Sequence, residues 1–203
     1  MMTKSRLAVF VLIFMSLIIM LALAGCASET PVTEPEAPAE DAEAPAEEEA
    51  EPEPVVPSFE ASKYVNSEFG FSVQYPAEWV ENPVTEGSTI VLYVVSEDKV
   101  PLMFVNVNEA ATFEEALNGA ILAAESSDVE IDSQEEIKLA GGINATKAIF
   151  KFKNPAAPLA LDAMALGAQK DGKWIIVNVA TLGLIAKFDE TLFTEIVSTL
   201  SFD

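Results

Sequence analysis

The chain contains no histidine, and its one arginine, Arg6, lies near the start. Histidine is the usual general base and the commonest metal ligand, and arginine is the usual fork for phosphate and carboxylate. A domain without either lacks the favoured parts for hydrolase triads, zinc sites and phosphate clamps, which leaves carboxylate or lysine chemistry for any reaction. Cysteine occurs once, at Cys26, so no intrachain disulfide can form. There is no Gly-rich phosphate loop: Gly141-Gly142 is an isolated pair and reads as a hairpin turn. No internal repeat is present.

Against these absences stands an asymmetric N-terminal segment. Lys4 and Arg6 precede an apolar run over residues 7–24, broken only by Ser16. A basic start followed by an apolar stretch is the signature of an export signal. The run ends in Leu23-Ala24-Gly25-Cys26. These four residues resemble the lipobox of bacterial lipoprotein precursors. The resemblance implies a diacylglycerol on the sulfur of Cys26, cleavage after Gly25, and a further acyl chain such as palmitate on the new amino terminus. Small Ala24 and Gly25 suit entry of extended backbone into a protease cleft. The expected result is a protein at the cell membrane, on its extracytoplasmic side, held through lipid and not by a spanning helix.

Residues 27–57 hold eleven acidic residues, seven prolines and seven alanines, with no basic or aromatic side chain. Such a stretch cannot bury enough apolar surface to offset the entropy of ordering it. It reads as a spacer; at about 3.1 Å per residue it would reach roughly 95 Å. The expected organisation is a signal over 1–25, the lipidated cysteine and acidic linker over 26–57, and one domain over 58–203. That domain carries 22 acidic residues against nine lysines, a net charge of −13. The balance argues against nucleic acid as a partner.

Hydrophobic patterning predicts an α+β domain, mainly antiparallel sheet with helices packed on it. Strands are expected at 64–65, at 71–75 with Phe71, Val73 and Tyr75 on one face, at 88–96 buried on both faces, and at 102–108. A helix opens at Thr112, with Glu115 completing a capping box. Two strands follow, over 129–139 and 143–152. Residues 154–162 read as a Pro/Ala-rich loop. A hairpin over Asp171-Gly172 then joins 164–169 to 173–181, and a last helix spans 188–200.

Three side-chain groups are candidates for more than packing. Glu130, Asp132 and Glu136 are expected on one face of their strand, as weak candidates for a calcium site. Asn144-Ala145-Thr146 matches a glycosylation acceptor. The apolar connections Pro155-Ala156-Ala157-Pro158-Leu159 and Leu182-Gly183-Leu184-Ile185-Ala186 would form a partner surface if exposed together.

Tyr64, Phe69-Gly70-Phe71-Ser72-Val73 and Tyr75-Pro76-Ala77-Glu78-Trp79 resemble the opening of PsbP-like domains, and the ending Ser198-Thr199-Leu200-Ser201-Phe202 is similar too. The resemblance implies an α/β/α sandwich around an antiparallel sheet and a non-catalytic accessory character. No cofactor is expected. The expectation is therefore a lipid-anchored envelope protein with a binding or accessory domain and an envelope protein as its partner. The alternatives are a divalent-cation or small-ligand carrier, and an envelope enzyme using carboxylates.

Overall fold

In a computed structural model of the chain, residues 53–155 and 159–203 are described. The signal and its lipobox, the linker up to residue 52, and Ala156, Ala157 and Pro158 lie outside them.

Alternating side chains in the last hairpin organise the domain. Strand β8 (Ala160–Lys170) and strand β9 (Lys173–Thr181) meet at Asp171-Gly172, both at positive φ (51° and 76°). That pair of left-handed residues makes a tight turn whose twist matches the flanking strands. Along β9, Ile175, Val177 and Val179 point to one core, while Ile176 and Ala180 point to a second. Burial on both faces makes this run almost wholly apolar.

The hairpin sits inside a seven-stranded sheet in the order β3-β4-β5-β9-β8-β7-β6. The other members are β3 (Val80–Glu81), β4 (Ile90–Val95), β5 (Leu102–Asn108), β6 (Ser127–Lys138) and β7 (Asn144–Lys153). A separate three-stranded sheet joins β1 (Ala61–Asn66), β2 (Phe71–Pro76) and β10 (Ser201–Phe202). Every strand pairing among the described residues is antiparallel.

Helix α1 (Phe113–Ala123) covers one face of the large sheet with Phe113, Ala116, Leu117 and Ile121. Beneath it the sheet presents small residues, among them Ala148, Ala163, Ala165 and Ala180, which let the helix approach closely. Gly167 belongs to this floor. A Cβ there would lie 2.5 Å from Ile176 Cδ1 and 2.8 Å from Phe113 Cδ2, so the packing requires a bare backbone. The cap follows the expected chemistry: Thr112 accepts from the Glu115 amide at 3.2 Å. The Glu115 carboxylate reaches back one residue further than expected, accepting from the Ala111 amide at 3.0 Å.

The other face meets helix α2 (Glu190–Ser198) through Phe193, Ile196 and Val197, together with Phe71, Val73 and Tyr75 of β2. This layer is thus shared between a helix and the small sheet. Asp189 is the N-cap of α2, and its carboxylate accepts from the Leu192 amide. After Ser198 the chain leaves the helix, and Phe202 pairs with Phe71. Trp79 is buried in the same core, on a turn closed by its amide donating to the Pro76 carbonyl at 2.9 Å. At the N-terminal side, the Ser58 amide and hydroxyl both donate to Glu195 of α2.

Three sequence expectations need correction. Residues 160–162 belong to β8 and not to a loop, because Ala160 to Asp162 pair with Lys153 to Lys151. Strand β4 buries Leu92 and Val94 fully but leaves Ile90 and Tyr93 only partly covered, because β3 protects just two residues of its outer edge. The small sheet is distinct from the large one, a separation that strand propensity cannot convey.

The corner between β2 and β3 has a measurable signature. The Tyr75 hydroxyl donates to Glu81, and burial, this hydrogen bond and the nearby carboxylate together push the phenol up to about 12. The protonated form is favoured by folding, so the contribution is complete below pH 10, the ordinary phenol value, and fades as pH rises through about 12. Alkaline titration of stability should therefore fall more steeply for wild type than for Tyr75→Phe over that window. Parallel curves would refute this assignment.

Candidate functional site

The first candidate is a cleft of about 260 Å³ at the C-terminal end of α1. Its floor is the outer part of the α1-facing sheet: Ile90 and Tyr93 of β4, Leu102 and Phe104 of β5, Phe152 of β7 and Leu161 of β8. Two features open it. The helix stops at Ala123 with Ala124 as its C-cap, and on its outer edge β4 has only a two-residue neighbour.

The helix end shapes one wall. Glu125 adopts a left-handed conformation (φ 53°), its amide donates to Leu122 O, and the Ser126 amide donates to Ile121 O. These two bonds satisfy carbonyls that the helix would otherwise leave open. Glycine usually fills the left-handed position, since a side chain there costs about 1 kcal/mol or more. The sequence places a carboxylate there instead, at the mouth of the cleft. Ser126 is then tied in place: its hydroxyl donates to Ala124 O and accepts from Asn154 Nδ2, both at 3.1 Å.

Chemically the cleft is apolar with a polar rim. Burial raises the Tyr93 phenol further above an ordinary value that already leaves it a hydroxyl at neutral pH, able to donate. Glu125 is the one carboxylate in the lining. Such a surface suits an apolar group bearing a hydrogen-bond acceptor.

The sequence-based candidates fall elsewhere. Glu130, Asp132 and Glu136 are not brought together. Strand β6 bulges between Ile131 and Ser133, which reverses its alternation. Glu130 therefore shares a face with Lys151, while Glu136 stands beside Thr146 on the opposite face. Asp132 pairs with Lys151 at 2.6 Å, Asp128 with Lys153 at 3.0 Å and Glu135 with Lys147 at 2.6 Å. The Asp132 hydrogen bond holds the Lys151 ammonium above its usual range. Lys170 donates to Gly70 O and Asp203 O, fastening the C-terminus. No group of three or more metal-ligating side chains is found among the described residues.

Leu184 and Ile185 are 77% and 65% exposed, and Leu159 is 45% exposed. Leu23, Ala24, Gly25 and Cys26 lie outside the described residues. Tyr93, Glu125, Ser126 and Asn154 were missed by sequence reasoning. Tyr93 hides within an apolar strand run, and a left-handed glutamate has no sequence signal.

The antiparallel sheet with two helices is compatible with a PsbP-like α+β fold. No family model matches the chain, and no curated protein matches it. Among solved structures, the chain is similar to cyanobacterial PsbP (CyanoP) from Synechocystis, with a TM-score of 0.55 and 14% identity over 70% of this chain and 92% of that one. At this identity the likeness shows the fold alone. Weaker overlaps occur with a protein from Bacteroides thetaiotaomicron (TM-score 0.44, 16% identity, 70% of this chain and 48% of that one) and a protein of unknown function from Pseudomonas aeruginosa (TM-score 0.33, 11% identity, 61% and 84%).

Proposed function

We propose that the chain is a lipid-anchored protein of the cell envelope whose PsbP-like domain binds a partner and does not catalyse a reaction. In this reading the helix, the large sheet, and the second helix with its small sheet form the α/β/α sandwich of that fold. The observation that carries the binding role is the apolar cleft beside α1. It offers apolar surface and a phenol donor, and its lining holds one carboxylate, short of the pair that glycosidase-type catalysis uses. Leu23-Ala24-Gly25-Cys26 supports the anchor, and the acidic linker supports a domain held clear of the membrane.

The divalent-cation reading is less favoured, because three of the acids on β6 are engaged by lysines. The carboxylate-enzyme reading lacks a second acid in the cleft.

A photoreactive phenylalanine analogue at Tyr93, in full-length protein in native membranes, tests the binding role. It should give a discrete crosslinked species that disappears when Phe104→Trp fills the cleft. The same probe at Val65, 55% exposed on β1, should give none. Equal crosslinking from both positions would rule the cleft out as the binding surface.

A further inference from the structure

A second concavity lies on the same sheet face, beyond the N-terminal end of α1, and takes no part in the role proposed above. Its volume is about 490 Å³, within the range of small-molecule sites. Strand register builds it. Glu136 stands opposite Thr146, Thr146 opposite Gly167, and Gln169 opposite Trp174, so one α1-facing surface gathers side chains from four neighbouring strands. Asn144, two residues before Thr146, shares that surface. Gly167 contributes no side chain there, and the space above it is taken by Phe113 and Ile176.

We propose that this concavity binds a neutral, polyhydroxylated ligand, a sugar unit. Trp174 supplies an aromatic wall against which the C–H face of a pyranose can pack. Phe113, the first residue of α1, meets the indole edge-on at 5.8 Å and 63°, fixing its orientation. The indole Nε1 is buried without a hydrogen-bond partner.

Around it, Glu136, Asn144, Thr146 and Gln169 make no side-chain hydrogen bond among the described residues. A carboxylate accepts, two carboxamides both donate and accept, and a hydroxyl does either. This mixture matches a ring of hydroxyls, each of which is also donor and acceptor. No lysine lines the concavity, so an anion would face Glu136 with nothing to balance it. A cation would find one aromatic face where aromatic cages use several.

The test is saturation-transfer NMR on detergent-solubilised full-length protein, with four probes: an N-acetylglucosamine disaccharide, maltotriose, choline and inorganic phosphate. The expected result is transfer to ring protons of at least one saccharide at millimolar concentration. Trp174→Ala should weaken that binding by about tenfold or more, as should the double variant Asn144→Ala/Gln169→Ala. The double variant removes only exposed side chains and guards against a folding defect in Trp174→Ala. Transfer to neither saccharide, transfer to choline alone, phosphate binding alone, or undiminished saccharide binding by the double variant would overturn the proposal. The Tyr93 crosslink is unaffected by any of these outcomes, so the two readings fail separately.

Discussion

Phe71→Ala is expected to cost about 3–5 kcal/mol of stability, read as a lowered denaturant midpoint. The ring is fully buried in the larger core, with its centroid 6.1 Å from that of Tyr64. Its backbone pairs with Asn66 on one side and Phe202 on the other, so it sits where all three strands of the small sheet meet. Truncation leaves a void that the large sheet behind it cannot fill, because Met164, Leu166, Val177 and Val179 are held by their own strand pairing. Val65→Ala on the neighbouring strand, at an exposed position, should change stability by no more than about 0.5 kcal/mol. A loss below about 1 kcal/mol for Phe71→Ala would mean that the small sheet is not packed into the core as described.

Cys26→Ser is expected to abolish acylation. The sulfur is the nucleophile that would form the thioether, and a serine hydroxyl at neutral pH is far less nucleophilic than a thiolate. Cells fed labelled palmitate should label the wild-type chain and leave the variant unlabelled. The variant should also keep its full length, on the further proposal that cleavage after Gly25 requires the lipidated Cys26. The apolar run over residues 7–24 would then stay attached and could itself hold the chain in a bilayer, so acyl label and length are the decisive readouts and pelleting is not. Equal labelling of the two proteins would remove the proposed anchor.

Much of the fold was legible because local patterns agreed with tertiary needs. Thr112 and Glu115 marked α1, Asp171-Gly172 marked the last hairpin, and residues 102–108 read as a strand. The start of β8 was not legible: Ala160, Leu161 and Asp162 follow a Pro/Ala stretch, and their strand state comes from pairing with β7. The bulge at Asp132 had no signal either, and that one residue separated Glu130 from Glu136. Neither concavity could be read from sequence. Each is assembled from several strands, and each opens where α1 ends, so its existence depends on a helix being shorter than the sheet beneath it. The proposed anchor is the reverse case, carried by four consecutive residues and no tertiary structure.

Mass spectrometry of the N-terminal peptide from protein extracted out of native membranes tests the central claim most directly. The expected species is a mature chain that begins at Cys26 and carries a diacylglycerol on its sulfur. A chain that retains residues 1–25, or one with an unmodified Cys26 thiol, would contradict it.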